Sequence, residues 1–175
     1  MFDLNALLDE YDRARSYTDA LWQDLPAAEV LWRPHPQFSP IGWHLGHQAS
    51  VAHFMVRNLT AAEPSPDPAI EAVMDSAHPE TDRGDLPDPD RIAAYRAAVA
   101  DRVHVRIGDI DQGRVGAPNQ LRVVGGHLLA ALINHEYQHD QWISEVREEH
   151  LGRPLPPRPN SDRLTEIDGY LVVSL

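Results

Sequence analysis

The segment His135-Glu136-Tyr137-Gln138-His139 holds two histidines four residues apart. On a helix that spacing sets them about 40° apart around the axis and one turn apart along it, so both imidazoles reach a single metal ion. A second pair, His44 and His47 in Trp43-His44-Leu45-Gly46-His47, is three residues apart, about 60° on a helix. Imidazole is the commonest metal-binding side chain. Three neutral imidazoles leave coordination positions open, which marks a reactive rather than a closed structural site. Either His44 or His47 supplies a third ligand beside His135 and His139; geometry alone does not choose between them. Ten histidines in 175 residues give on the order of half a pair at the four-residue spacing by accident, so the surrounding elements must carry the reading.

Read literally, His135 to His139 spells H-E-x-x-H, the pattern of zinc proteases with Glu136 as general base. The longer metzincin form needs glycine at 142 and histidine at 145, where this chain has Trp142 and Glu145. A downstream Glu166 could close a zinc site of the other kind. Nothing upstream reads as the β-sheet on which such proteases bind a substrate, so a zinc hydrolase is the least favoured reading. The other histidines look weaker. His53 falls about 120° from His47 on the helix and faces elsewhere. His127 lies two turns before His135, about 12 Å along the axis, too far to share an ion. His35, His78, His104 and His150 lie in loops or near helix ends and read as solvated.

The elements that must position these residues are helical. Leu4, Leu7, Leu8, Tyr11, Ala14, Tyr17 and Leu21 recur at three- and four-residue steps, predicting a helix over 3–23. Ser39 as N-cap and Pro40 at the first position open a second helix that runs to about residue 60. Six prolines between 61 and 89 rule out one long helix and predict a crossover, with a short helical turn around Ala69–Met74. A third helix starts at Asp88-Pro89-Asp90 and ends near Gly108. A fourth spans Asn119 to Glu149, with Leu128, Leu132, His135, His139, Trp142 and Val146 on its seam and Gly125-Gly126 weakening its first turns. Residues 152–175, rich in proline, form an extended strap. The fold class is all-α: a four-helix bundle with a long crossover between helices 2 and 3 and an extended C-terminal tail, in which metal sites form between facing helices. One domain, 1–175, accommodates this.

Composition narrows the function further. Net charge is −12, and no basic patch emerges, which argues against nucleic acid as a partner. No apolar run is long enough for a bilayer and no secretory signal is visible, so a cytoplasmic protein off the membrane is expected. Cysteine is absent, removing disulfides, thiolate ligands and a cysteine nucleophile. All fifteen basic residues are arginine, so lysine Schiff-base chemistry is impossible.

Taken together, Trp32-Arg33-Pro34, Ser39-Pro40-Ile41-Gly42-Trp43-His44-Leu45-Gly46-His47 and Asn134-His135-Glu136-Tyr137-Gln138-His139 resemble the DinB-like superfamily, over nearly the whole chain. The resemblance implies a four-helix bundle and a metal held by His47, His135 and His139, with His44 a companion outside the ligand set. It implies nickel, zinc or iron as the metal, and a homodimer. Known activities in that superfamily are transfers or isomerisations that use low-molecular-weight thiols. The W-H-L-G-H stretch is also similar to the N-terminal domain of ergothioneine sulfoxide synthases; those enzymes complete their site with a large second domain, and oxidative sulfur chemistry is not expected here. The family's H-R-G-Q continuation is altered to His139-Asp140-Gln141-Trp142. The expectation is a metal-dependent thiol S-transferase acting on an electrophile, with Glu136 or Asp140 orienting the imidazoles. The alternative is a non-catalytic bundle that is metal-stabilised or metal-sensing.

Overall fold

The computed structural model describes residues 2–60, 62–74 and 85–175. It is mostly helical. The chain runs through α1 (Leu4–Trp22), α2 (Ala27–Val30), α3 (Ile41–Arg57), α4 (Pro68–Met74), α5 (Pro89–Asp111) and α6 (Pro118–Glu145), then a π-helical turn, Val146–His150, and strands β1 (Leu164–Ile167) and β2 (Tyr170–Val173). Helix α3 packs on α5 and α1 on α6, while α6 also meets α3 and α5. The core is their shared apolar face, including Leu4, Leu21, Ile41, Leu45, Ile107 and Leu129, all fully buried. Each such side chain contributes roughly 1.5–3 kcal/mol by leaving water.

The predicted helices are found within a few residues. Every residue of the apolar face read in the first helix is buried. Asp88 caps α5 by accepting from the Asp90 N–H at 2.9 Å, with Pro89 in the first turn. The short α4 lies where the crossover was expected to turn helical; residues 75–84 of that crossover, with His78, lie outside the described residues.

Several expectations are corrected. The cap of α3 is Pro40, not Ser39, and Pro40 makes no side-chain capping bond. Helix α5 passes Gly108 and ends at Asp111. Helix α6 is continuous through Gly125-Gly126, because those glycines are packing contacts. A Cβ on Gly126 would lie 2.4 Å from the Phe2 ring, and one on Gly125 would touch Ile107 and Ile110. The tail is not extended throughout. Asp168 and Gly169, with φ of 52° and 87°, make the tight turn that pairs Ile167 with Tyr170 in an antiparallel hairpin. The hairpin lies on α6, where the Val173 N–H donates to Asn134 Oδ1 at 2.8 Å.

Arg147, 4% exposed, fastens the far end of α6. It donates to both carboxylate oxygens of Asp24, to the Leu21 carbonyl and to the Pro154 carbonyl. That ties α6 to the end of α1 and to the start of the tail.

Candidate metal centre

Helix α3 presents His47 and helix α6 presents His135 and His139 to the same space. One ring nitrogen from each lies within 4.8 Å of the others. His139 Nε2 and His135 Nε2 are 3.1 Å apart. Two metal–nitrogen bonds of about 2.0–2.1 Å span at most about 4.1 Å, so this pair already fits one ion and the third imidazole needs only a small side-chain adjustment. Among the described residues no other group of three histidines or carboxylates converges this closely.

Hydrogen bonds on the opposite ring atoms orient two of the three imidazoles. His47 Nδ1 lies 2.8 Å from the Met74 carbonyl. A carbonyl only accepts, so Nδ1 carries the proton and Nε2 keeps its lone pair. His139 Nδ1 lies 2.8 Å from His44 Nδ1. When His139 offers Nε2 as a ligand, its Nδ1–H donates to His44. His44 thus stands on the far side of the His139 ring from the cluster, and its Nδ1 serves as the acceptor.

Packing and charge suit neutral imidazoles. Burial pushes the His135 pKa down to about 4, helped by the neighbouring His47. Burial also holds that of His139 well below its ordinary value, with His44, His135 and His47 adding to the shift. Neutral rings are the metal-binding form. Trp43 stacks on His47 at 4.5 Å and 14°, and Trp142 stands edge-on to His139 at 4.9 Å. Two indoles therefore flank the histidines. His139 is buried, while His47 and His135 are partly exposed, leaving a way in.

The carboxylates of the last helix do something other than expected. Glu136 and Asp140 are 2% and 1% exposed and point into the interior. Thr18 Oγ1 lies 3.1 Å from Glu136 Oε2 and 2.7 Å from Asp140 Oδ1. Arg96 sits 3.6 Å from Glu136 and donates to Gln48 Oε1 at 2.7 Å and to the Leu45 carbonyl at 3.1 Å. Gln48 in turn donates to the Glu136 carbonyl. Burial, then the Glu136 charge, raises the Asp140 pKa well above its usual value. The imidazole-orienting role assigned to these carboxylates falls instead to Met74 and His44. Glu136, held by Thr18 and Arg96, is also misplaced for the general base of a protease.

The other histidines divide. His35, His127 and His150 are exposed, and His104 pairs with Asp12 at 2.7 Å from within α5 rather than from a loop. His53 does face away from His47 but is fully buried, 3.4 Å from Arg102, where burial lowers its pKa. The Met74 carbonyl was invisible to sequence reading because it is a backbone atom on a separate element. Gln48 and Arg96 did leave a signal: each interrupts the apolar face of its helix. Arg33, in the Trp-Arg-Pro stretch, donates to the Phe38 and Pro36 carbonyls and so shapes the loop leading into α3.

No curated protein matches the chain. A family model described as the DinB superfamily matches residues 10–143, from within α1 to the last turn of α6 and including all three clustered histidines. The chain belongs to the DinB superfamily.

Proposed function

We propose that this protein is a metal-dependent transferase that uses a low-molecular-weight thiol, built as a four-helix bundle around a divalent transition metal. The observation that carries the reading is the cluster of His47, His135 and His139, with His47 and His139 aimed by acceptors behind their rings. Nε2 of each would hold the ion. Nickel, zinc and iron all suit neutral imidazoles. When bound, the metal supplies a Lewis acid that favours the thiolate form of a coordinated thiol.

The chain's own residues set the conditions. His47 arrives already in the required tautomer, and His44 offers His139 an acceptor for the proton that metal binding places on Nδ1. Trp43 and Trp142 wall the cluster with apolar surface, which limits water beside a nucleophile. The absence of cysteine means that any sulfur nucleophile comes from a co-substrate. The test is elemental analysis of purified protein, followed by a panel of thiols and electrophiles on metal-loaded wild type and His135→Ala. Equal rates for the two proteins remove the metal site from turnover.

A second reading has its own support. The cluster joins α3 to α6 next to a buried polar network, as a purely structural or sensing metal would. Chelation that lowers the melting temperature by several degrees, with no turnover on any thiol, favours that role.

A further inference from the structure

Helices α3 and α4 leave a groove between them, with His47 at one end. His47, Ser50, Val51 and Phe54 follow one another at three- and four-residue reach and share one face of α3. With Glu71 and Met74 of α4 they line a cavity of about 200 Å³. From His47 to Phe54 the groove runs about 10 Å along the helix axis. His47 therefore belongs both to the histidine cluster and to the groove wall.

The lining sets the chemistry of an occupant. Val51, Phe54 and Met74 give it apolar walls. Phe54 is 59% exposed, so its ring can meet an occupant without moving. An apolar cavity of about 150 Å³ holds a benzene molecule, so this groove has room for one substituted ring. A phenylalanine ring and a thioether sulfur both favour an aromatic neighbour over an alkyl one. The charges near Phe54 meet each other. The Arg57 guanidinium lies 4.9 Å from the centre of the Phe54 ring and 3.5 Å from Glu71. An occupant with a charge of its own would give up water and find the nearest counter-charge already taken.

We propose that this groove holds the electrophile of the thiol transfer, and that the electrophile is uncharged and carries a single aromatic ring. The ring lies against Val51, Phe54 and Met74, with the reactive end toward His47. Val51 and Phe54 then determine specificity, while the histidines hold the ion. The assignment rests on the metal-dependent transfer proposed above.

The test is fluorine NMR of the full chain, loaded with Zn²⁺ or Co²⁺, titrated with para-fluorobenzyl alcohol. Saturable binding at one site is expected with either ion. Paramagnetic Co²⁺ broadens the bound signal and diamagnetic Zn²⁺ does not, because the groove begins at a metal ligand. Phe54→Ala weakens binding about fivefold, and Val51→Asp, which sets a carboxylate on the wall, by more than about tenfold. Both positions are at least partly exposed, so the fold is retained, and unchanged metal stoichiometry verifies it. Val105→Ala, at an exposed apolar residue of α5, binds as wild type does. The charged para-fluorobenzoate and para-fluorobenzylammonium, and the ringless fluoroethanol, bind at least about tenfold more weakly. No saturable binding, equal binding by Phe54→Ala or of any comparison probe, or a bound signal as sharp with Co²⁺ as with Zn²⁺ would overturn the proposal. A chain that takes up neither ion refutes the metal centre itself before any probe is added, and this inference with it.

Discussion

Replacing His44 by phenylalanine separates a metal ligand from the residue that aims one. In the metal-free protein, His139 can place its proton on either ring nitrogen. With the proton on Nε2 it donates to His135 Nε2 at 3.1 Å. With the proton on Nδ1 it donates to His44 Nδ1 at 2.8 Å. Metal binding removes that choice, because Nε2 must offer its lone pair. In His44→Phe the Nδ1–H is then left without this acceptor on a ring only 4% exposed. An unmet buried donor costs about 1–3 kcal/mol, and the cost arises on binding rather than on folding. The expected result is a Kd for Zn²⁺ or Ni²⁺ weakened about 5- to 150-fold, with a small change in metal-free stability. Competition against a chromogenic chelator measures it, with His47→Phe alongside, which abolishes stoichiometric binding. An affinity within twofold of wild type would show that His44 does not set the tautomer. A loss as complete as that of His47→Phe would make His44 a ligand, and the assignment of the third histidine would fail.

Other perturbations test the frame around the site. Arg96→Met leaves the buried Glu136 carboxylate without its nearby cation and costs about 3–5 kcal/mol in urea unfolding; adding Glu136→Gln recovers more than about 1 kcal/mol, and additive losses would refute the coupling. Gly46→Val drives a side chain into Met74, whose sulfur would be 2.6 Å from even a Cβ; it destabilises by about 1–3 kcal/mol and weakens metal binding by shifting the carbonyl that orients His47, whereas unchanged affinity in the folded variant would remove that link. Metal titration quenches tryptophan fluorescence through Trp43 and Trp142, and Trp43→Phe with Trp142→Phe abolishes the change; a full signal in that variant would place the ion elsewhere. Acid weakens the metal-free protein through His135. Its pKa falls from 6.5 to about 4 on folding, so the unfolded chain binds the proton first as pH drops. Stability present above pH 6.5 is therefore lost between about 6.5 and 4, by at most about 3 kcal/mol, and His135→Ala shows a smaller acid loss in urea titrations at pH 7 and 4.5.

Gly46 shows how one residue was half legible. A glycine in mid-helix leaves room for a close helix neighbour or a ligand without saying which. The structure resolves it as Met74, the residue whose carbonyl holds His47. The last helix was read on a narrow seam through Leu128, Leu132, His135, His139, Trp142 and Val146. Its buried surface is wider and includes Glu136, Tyr137, Asp140 and Ser144, because α1 and the hairpin cover sides that a two-position seam leaves to solvent.

By itself the sequence determined the helices and the candidate ligands, because both follow from local periodicity: apolar residues every three to four positions, and histidines spaced to share a helix face. It determined equally that any thiol chemistry needs a sulfur from outside. The resemblance implied His47 of the Trp43–His47 stretch where helix geometry left the choice open, and the tertiary structure brings His47 rather than His44 to the other two. That choice turns on partners 27 and 95 residues away, the Met74 carbonyl for His47 and the His139 ring for His44. It also turned Glu136 and Asp140 inward, since their companions Thr18, Gln48 and Arg96 come from three other helices that meet only when the chain has folded.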